Sequence, residues 1–345
     1  MKAKFASLML ITLLIEGISC KKNDLNSDVE TYSNASLKAA SASATRYVVS
    51  TIAGSPYQSG PTLVDGTGTN VRFLFPNGIQ LSDDGNIYIA DGNDGVIRKL
   101  LPGGQVTTIR LPKAPDGEEM LAPAYVGVAK DGTINVITGN NLNSDYPEAW
   151  IFEPGKPAFV HTDFYATYRT LAKDPYEDVF WFTEGFSALK FKKSSSGFLI
   201  GTDQISFNID SIFSDPSPHS SFSAIAIGNN KVKYLSDGHY LYKYTPGGKS
   251  ERIFEELGVE GFTTITCIVS NKDCRTLYIA DAGYIRRIDD GKLTTIAGPS
   301  SVHDNRDGTG RQADVHARYL ALSKDEGSLY FSDSQAKAIR KILLR

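Results

Sequence analysis

The feature that most constrains this chain is that it repeats itself. Residues 65–100, DGTGTNVRFLFPNGIQLSDDGNIYIADGNDGVIRKL, match 307–342, DGTGRQADVHARYLALSKDEGSLYFSDSQAKAIRKI, at equal length, and a one-residue slip near the first hairpin improves the match of the inner strands. A third copy reads CIVSNKDCRTLYIADAGYIRRIDDGKLTTIAG at 267–298. Within 78–109 the pattern is apolar run, Asp-Gly turn, apolar run, Gly/Asn turn, apolar run, Pro-Gly-Gly turn, apolar run. Short runs rich in β-branched and aromatic residues, separated by such turns, are antiparallel strands joined by hairpins. A unit of this size cannot bury both faces of its sheet alone, so units must stack on one another.

Three weaker copies lie between the clear ones, at 126–140, 169–185 and 223–248, which brings the count to six. At about 50 residues per unit, six units fill 47–345. The ends supply a second clue. The last unit stops after its third strand, IRKILLR at 339–345, and VVSTIAG at 48–54 copies KLTTIAG at 292–298, the fourth strand of unit five. The expected fold is therefore all-β, a six-bladed β-propeller whose ring is closed by the N-terminal strand completing the last blade. Closure removes an exposed sheet edge.

Tyr-(Ile/Phe)-(Ala/Ser)-Asp followed by Ile-Arg-(Lys/Arg)-(Leu/Ile), seen in units one, five and six, resembles the NHL repeat. That resemblance implies ligand sites at a channel mouth, on the face carrying the connections from strand four to strand one (4–1) and strand two to strand three (2–3). The peptidyl-amidoglycolate lyases place zinc on an NHL-like propeller, but no motif of theirs beyond the blades is present here.

The first twenty residues are of another kind. Lys2 and Lys4 precede an apolar run, 5–15, too short to span a bilayer but suited to a signal peptide. Small residues then lead to Cys20, which resembles the lipobox of bacterial lipoproteins, although Glu16 and Gly17 depart from its usual pattern. The expected organisation is a signal peptide at 1–19, a lipidated Cys20 and disordered tether over 20–46, and an NHL-type propeller over 47–345. Residues 21–46 are Ser/Ala-rich and lack apolar periodicity. The resemblance implies a bacterial envelope location, an outer-membrane lipoprotein on the periplasmic or outer surface, bound to the membrane through lipid. Strand order further implies that the tether leaves from the face opposite the 4–1 and 2–3 loops.

A net charge of −3 gives no basic surface for nucleic acid, and none is expected as a partner. The Asp that ends the second strand (Asp91, Asp237, Asp281, Asp333, with Glu184 in unit three) recurs too regularly for a metal ring. It reads as a turn cap or as an inter-blade partner for the Arg of Ile-Arg-Lys. The Asp-Gly-Thr-Gly turns at 65–68 and 307–310 lack the strand-to-helix context of a phosphate loop and read as structural. Aromatics concentrate in units two and three, at Tyr125, Tyr146, Trp150, Tyr165, Tyr168, Trp181 and Phe186. Trp181 and Phe182 lie in an apolar strand and read as core. The 140–147 loop is long, polar and aromatic, which suits binding.

Candidate ligand residues on the expected face are Arg72, Asn77, Asn140, Tyr146, Glu184, His219 and His316. His161, His219 and His316 each precede an inner strand and could together ligate zinc, but scattered surface histidines are the simpler reading, so no metal site and no cofactor is assigned, zinc and calcium being the alternatives. Cys267 and Cys274 flank one hairpin and are read either as a cross-strand disulfide or as two free thiols. No catalytic set is legible in linear sequence. The expected function is a binding or scaffold module presenting its ligand face to a protein, peptide or glycan; the alternative is a metal-dependent lyase or hydrolase at the channel mouth.

Overall fold

A computed structural model describes residues 46–56, 63–92, 95–139, 147–162, 168–193, 199–206, 221–247, 250–253 and 262–345. They belong to one compact unit, Thr45–Arg345. Six antiparallel sheets form a six-bladed propeller. Blade 1 holds β3 (Pro76–Leu81), β4 (Ile87–Asp91), β5 (Val96–Leu100) and β6 (Gln105–Arg110), with a two-residue β2 (Gly66–Thr67) on its outer edge. Blade 2 holds β7 (Pro123–Val128), β8 (Ile134–Thr138), β9 (Glu148–Phe152) and β10 (Phe159–Thr162). Blade 3 holds β11 (Arg169–Lys173), β12 (Phe180–Glu184), β13 (Ser187–Lys193) and β14 (Leu199–Ser206). Blade 4 holds β15 (Ala224–Ile227), β16 (Lys233–Ser236), β17 (Leu241–Tyr244) and β18 (Ser250–Ile253). Blade 5 holds β19 (Ile265–Ser270), β20 (Thr276–Asp281), β21 (Tyr284–Asp289) and β22 (Lys292–Ala297).

Blade 6 is built from both ends of the described chain. Its inner strands are β24 (Ala317–Leu322), β25 (Ser328–Asp333) and β26 (Ala338–Leu343), and its fourth strand is β1 (Val48–Gly54). β1 pairs antiparallel with β26, Val49 opposite Ile342 and Gly54 opposite Ala338, and a two-residue β23 (Gly308–Thr309) pairs beyond it. The ring closes as the sequence implies.

Apolar side chains fall on both faces of each sheet, because both faces meet a neighbouring blade. Six hydrophobic clusters result, one at each blade interface. Ala53 and Ile339 of blade 6 meet Phe73, Ile87 and Ile89 of blade 1, for example. Gly78 marks how closely the blades approach: a β-carbon there would lie 2.5 Å from Ala124 O and 2.9 Å from Tyr125 Cα, so no larger residue fits without moving β7.

The repeated Asp is structural, but its Arg partner lies in the same blade, not the next. Asp91 bonds Arg98 at 3.0 Å, Asp333 bonds Arg340 at 2.9 Å and Asp281 bonds Arg286 at 3.2 Å. It also caps the loop before its own inner strand: Phe75 N, Thr264 N and His316 N donate to Asp91, Asp281 and Asp333. The Asp-Gly-Thr-Gly turns explain themselves here. Asp65 and Asp307 each bind the same Arg from the other side and also take the hydroxyl of the fourth strand, Thr108 and Thr51. Their Gly-Thr supplies β2 and β23.

Cys267 and Cys274 are free thiols, which removes the disulfide alternative. Cys267 pairs opposite Ala280 in β19, and its sulfur reaches Leu320 N of blade 6 at 3.4 Å. Cys274 sits in the β19–β20 turn with φ 62°, and its sulfur lies against Asn229 N of blade 4. The two sulfurs serve opposite neighbours.

Candidate functional site

Every inner strand runs along the central channel and leaves one backbone edge without a ladder partner. Side chains of the adjoining blade occupy part of that edge. Gln80 uses both amide atoms on Val128 of blade 2, its oxygen taking the N–H and its Nε2 donating to the carbonyl at 3.3 Å. Thr266 donates to Arg318 O at 2.6 Å, and Ser223 donates to Ile265 O at 3.2 Å. Such bonds stitch blade to blade, since an unpaired buried backbone group costs as much as a lost hydrogen bond.

Two tyrosines of the inner strands meet at the channel. Tyr125 and Tyr319 occupy the third position of β7 and β24, on the two blades that flank blade 1. Their rings meet edge to face, 5.4 Å apart at 82°. Burial, then the Tyr319 hydroxyl, push the Tyr125 phenol well above its ordinary pKa. Arg318 lies over Tyr319 and Phe75 at 5.8 and 5.2 Å, on the side of the 4–1 loops.

Beyond the tyrosine pair lies a cavity of about 460 Å³. All six inner strands line it: Gly78–Leu81, Tyr125–Val126, Thr170–Lys173, Ile225–Ile227, Cys267–Ser270 and Tyr319–Leu322. Its mouth is formed by the turns between strands one and two, with Ser82, Asp83, Lys130, Asp174, Tyr176, Glu177, Asn271, Lys272, Lys324 and Glu326. The cavity thus opens on the face opposite the one the sequence pointed to. Its walls are mainly aliphatic, and its mouth, with Lys173 at the end of β11, carries four lysines and four acids.

The mouth is well braced. Asp174 fixes its turn by accepting from Tyr176 N, Glu177 N and the indole Nε1 of buried Trp181 at 2.9, 3.1 and 3.0 Å. Tyr176 then leans past blade 4, its hydroxyl 3.4 Å from Lys272 O of blade 5, with the side chain still exposed. Glu177 pairs with Lys190 at 2.7 Å and Lys231 at 3.7 Å, and the Lys190 bond first, then its charge, lowers the Glu177 pKa. Lys173 pairs with Asp178 at 3.2 Å, and Lys272 Nζ donates to Lys324 O at 2.8 Å.

The sequence-derived candidates are scattered, and none of those described lines the cavity. Arg72 bridges Val64 and its carbonyl accepts from Arg98 at 2.8 Å. Asn77 of blade 1 donates to Pro123 O of blade 2 at 3.4 Å. Glu184 ends β12 opposite Ser187 in blade 3. Glu184 thus holds the place of Asp91 and Asp281, which end their strands opposite Val96 and Tyr284, and Thr183 beside it has its buried hydroxyl 2.9 Å from Arg169 O and 2.8 Å from Phe222 O. His316 precedes β24 in blade 6. Cys20, Asn140, Tyr146 and His219 lie outside the described residues, as does nearly all of the 140–147 loop. His161 sits in β10, an outer strand, away from His316. Of the unit-two and unit-three aromatics singled out in the sequence, Trp150 and Trp181 are core and Tyr125 faces the cavity.

The mouth had a signal that the repeat comparison passes over. Lys130-Asp131, Lys272-Asp273 and Lys324-Asp325 recur at the same place in three of the six turns, and Lys173-Asp174 stands two residues earlier, at the end of β11. Each Asp caps the turn, bonding Thr133 N, Tyr176 N, Arg275 N and Gly327 N. Each Lys is thereby delivered to the rim.

No family model matches the chain, and no curated protein matches it. Solved structures do. A structural-genomics protein of unknown function from Bacteroides thetaiotaomicron VPI-5482 superposes with a TM-score of 0.61 at 21% identity, covering 86% of this chain and 75% of that one. An auxiliary nutrient binding protein from Bacteroides ovatus ATCC 8483 gives 0.61 at 16% identity, covering 86% and 76%. A streptogramin B lyase gives 0.52 at 15%, covering 82% and 97%. At these identities the likeness is one of fold. Among the described residues no helix is long and apolar enough to cross a membrane.

Proposed function

We propose that this chain is a binding module of the NHL type, held at the bacterial envelope through a lipidated Cys20, which takes a peptide or glycan into its channel from the side of the strand one–two turns. The observation that carries this reading is the 460 Å³ cavity, lined by all six inner strands from the level of Tyr125 and Tyr319 to the strand one–two turns. Its volume is that of a small-ligand site. Aliphatic walls interrupted by strand edges offer backbone hydrogen bonds and side-chain pockets together, which is how extended peptides are held. Balanced charge at the rim favours a peptide over a polyanion.

The Bacteroides ovatus protein, named an auxiliary nutrient binding protein, agrees with a binding module. β1 starts on the same face as the mouth, since Tyr47 N bonds Leu343 O where β26 ends. In this reading the tether and the mouth share a face, and the ligand arrives from the anchored side.

Binding of peptide and glycan panels to the full chain, read by calorimetry, tests the proposal. Tyr176→Ala and Lys272→Glu alter exposed rim residues and should change affinity for a captured ligand at least tenfold without lowering the melting temperature. Arg318→Glu, behind the tyrosine pair, should leave it unchanged. Loss of binding with Arg318→Glu alone would place the site on the other face and end this reading.

A further inference from the structure

The loop that carries the chain from blade 5 into blade 6 gathers two imidazoles and one carboxylate. His303, Asp314 and His316 each offer one ligand atom, and the three atoms lie within 4.8 Å of one another. The carboxylate is fixed. Asp314 is fully buried, its two oxygens accept Ser300 N at 2.6 Å and Asn305 N at 2.7 Å, and its carbonyl accepts Arg340 Nη1 at 2.6 Å. The Ser300 hydroxyl bonds the carboxylate as well, so these donors fill three of its roughly four lone-pair positions and leave one for a ligand.

His316 is fixed as well. Its N–H bonds Asp333 at 3.0 Å, and its ring packs at Gly283, where a β-carbon would lie 3.5 Å from Nδ1. Its Nε2 points toward Asp314 but stops at 3.7 Å, beyond a hydrogen bond. That nitrogen is buried and has no hydrogen-bond partner among the described residues. Leaving a buried polar atom so is costly, and such an atom calls for an explanation. His303 completes the group from the exposed side, its ring 5.9 Å from that of His316 and its backbone at φ 50°.

We propose that His303, Asp314 and His316 bind a zinc ion, with a fourth position open toward solvent. Two imidazole nitrogens and a carboxylate are a borderline donor set suited to zinc, whereas calcium and magnesium take oxygen donors. Bonds of about 2.0–2.1 Å place tetrahedral ligand atoms roughly 3.4 Å apart, so the donors must close by about an ångström. His303, exposed on its loop, is the one free to move. The N–H donors on Asp314 orient that ligand from behind, as outer partners do in zinc sites. Three protein ligands leave room for water or for a carboxylate or imidazole of a bound molecule. The site lies on the 4–1 side, across the tyrosine pair from the cavity mouth, and does not depend on the peptide or glycan reading.

The test uses the full chain, stripped with chelator and titrated with zinc chloride by calorimetry and with cobalt(II) chloride by absorption. The expected result is one equivalent bound, with the visible bands of four-coordinate cobalt and no thiolate charge-transfer band. Zinc should also raise the melting temperature, because it binds only the folded state. His303→Ala should weaken zinc at least tenfold while leaving the metal-free melting temperature unchanged. His316→Ala should abolish binding, and His239→Ala should have no effect. Failure of the wild-type chain to bind zinc stoichiometrically, equal binding by His303→Ala, or a thiolate band would each overturn the proposal.

Discussion

Blades 1, 5 and 6 and blades 2, 3 and 4 have the same four-strand frame but satisfy their buried acid with different donors. In the first group a buried Asp meets a third-strand Arg. In blades 2 and 4 the register places Trp150 and Tyr242 where Arg98 and Arg286 stand. Trp150 Nε1 donates to Glu148 at 2.9 Å, the acid having moved onto the third strand itself, and Tyr242 donates to Asp237 at 2.9 Å. Blade 3 uses Thr183 and the Trp181–Asp174 bond instead. The frame needs a donor for a buried acid; it does not need a charge. Neutral aromatic donors fill the apolar space between blades at the same time, since Trp150 and Tyr242 are both fully buried in interface clusters.

The sharpest way to break this comparison is to remove the cation. Arg340→Met strands Asp333, fully buried, and removes donors from Asp307, Asp314 O and Arg306 O. A loss of about 3–5 kcal/mol is expected in denaturant unfolding, as for other buried pairs broken on one side. Trp150→Phe keeps the ring and removes only the donor to Glu148, so about 1–3 kcal/mol should be lost by the same measurement. Tyr242→Phe should cost about 1 kcal/mol. If Tyr242→Phe cost as much as Arg340→Met, the two kinds of blade would not differ in the way described.

The smallest effect concerns acid. Burial alone would raise the Asp65 pKa, but the Thr108 hydroxyl and N–H, then Arg98, hold it below the ordinary value of 3.8. Asp91, on the other side of the same Arg, is held above that value by burial. A carboxyl lowered by folding contributes stability that is present above its unfolded pKa and lost as pH falls through its folded pKa. Asp65→Asn should therefore flatten the acid limb of stability below about pH 4, by less than about 1 kcal/mol because Asp65 is half exposed. Titration of unfolding midpoints between pH 2 and 5 with the variant beside the parent chain would measure it, on the order of a few tenths of a unit of midpoint change.

The fold was legible because its repeats are written in two easily seen forms, Asp-Gly turns and the Tyr-Ile-Ala-Asp/Ile-Arg-Lys pair. Ring closure was legible because VVSTIAG copies KLTTIAG. Blades 2 and 4 blurred because a Trp or Tyr replaces Arg without changing the register, blade 3 because Leu189 does, and apolar letters carry no record of that exchange. The cavity on the strand one–two side was not legible for a different reason. Its lining comes from six separate strands, and Tyr125 and Tyr319 meet only in three dimensions. His303 escaped notice because its partners, eleven and thirteen residues on, reach it only once the loop folds back.

The strand that completes blade 6 also sets the order in which the molecule can be finished. Blades 1 to 5 are each made from contiguous sequence and can zip up locally as chain becomes available. Blade 6 cannot, because Thr51 meets Asp307 across 256 residues. Its closure carries the largest loop entropy in the ring and must await the C-terminal strands. Until β1 docks, β26 is a bare edge able to pair with another chain. Aggregation during synthesis and refolding should therefore be governed by this one docking event, and a circular permutant that joins β26 directly to β1 should refold faster and aggregate less.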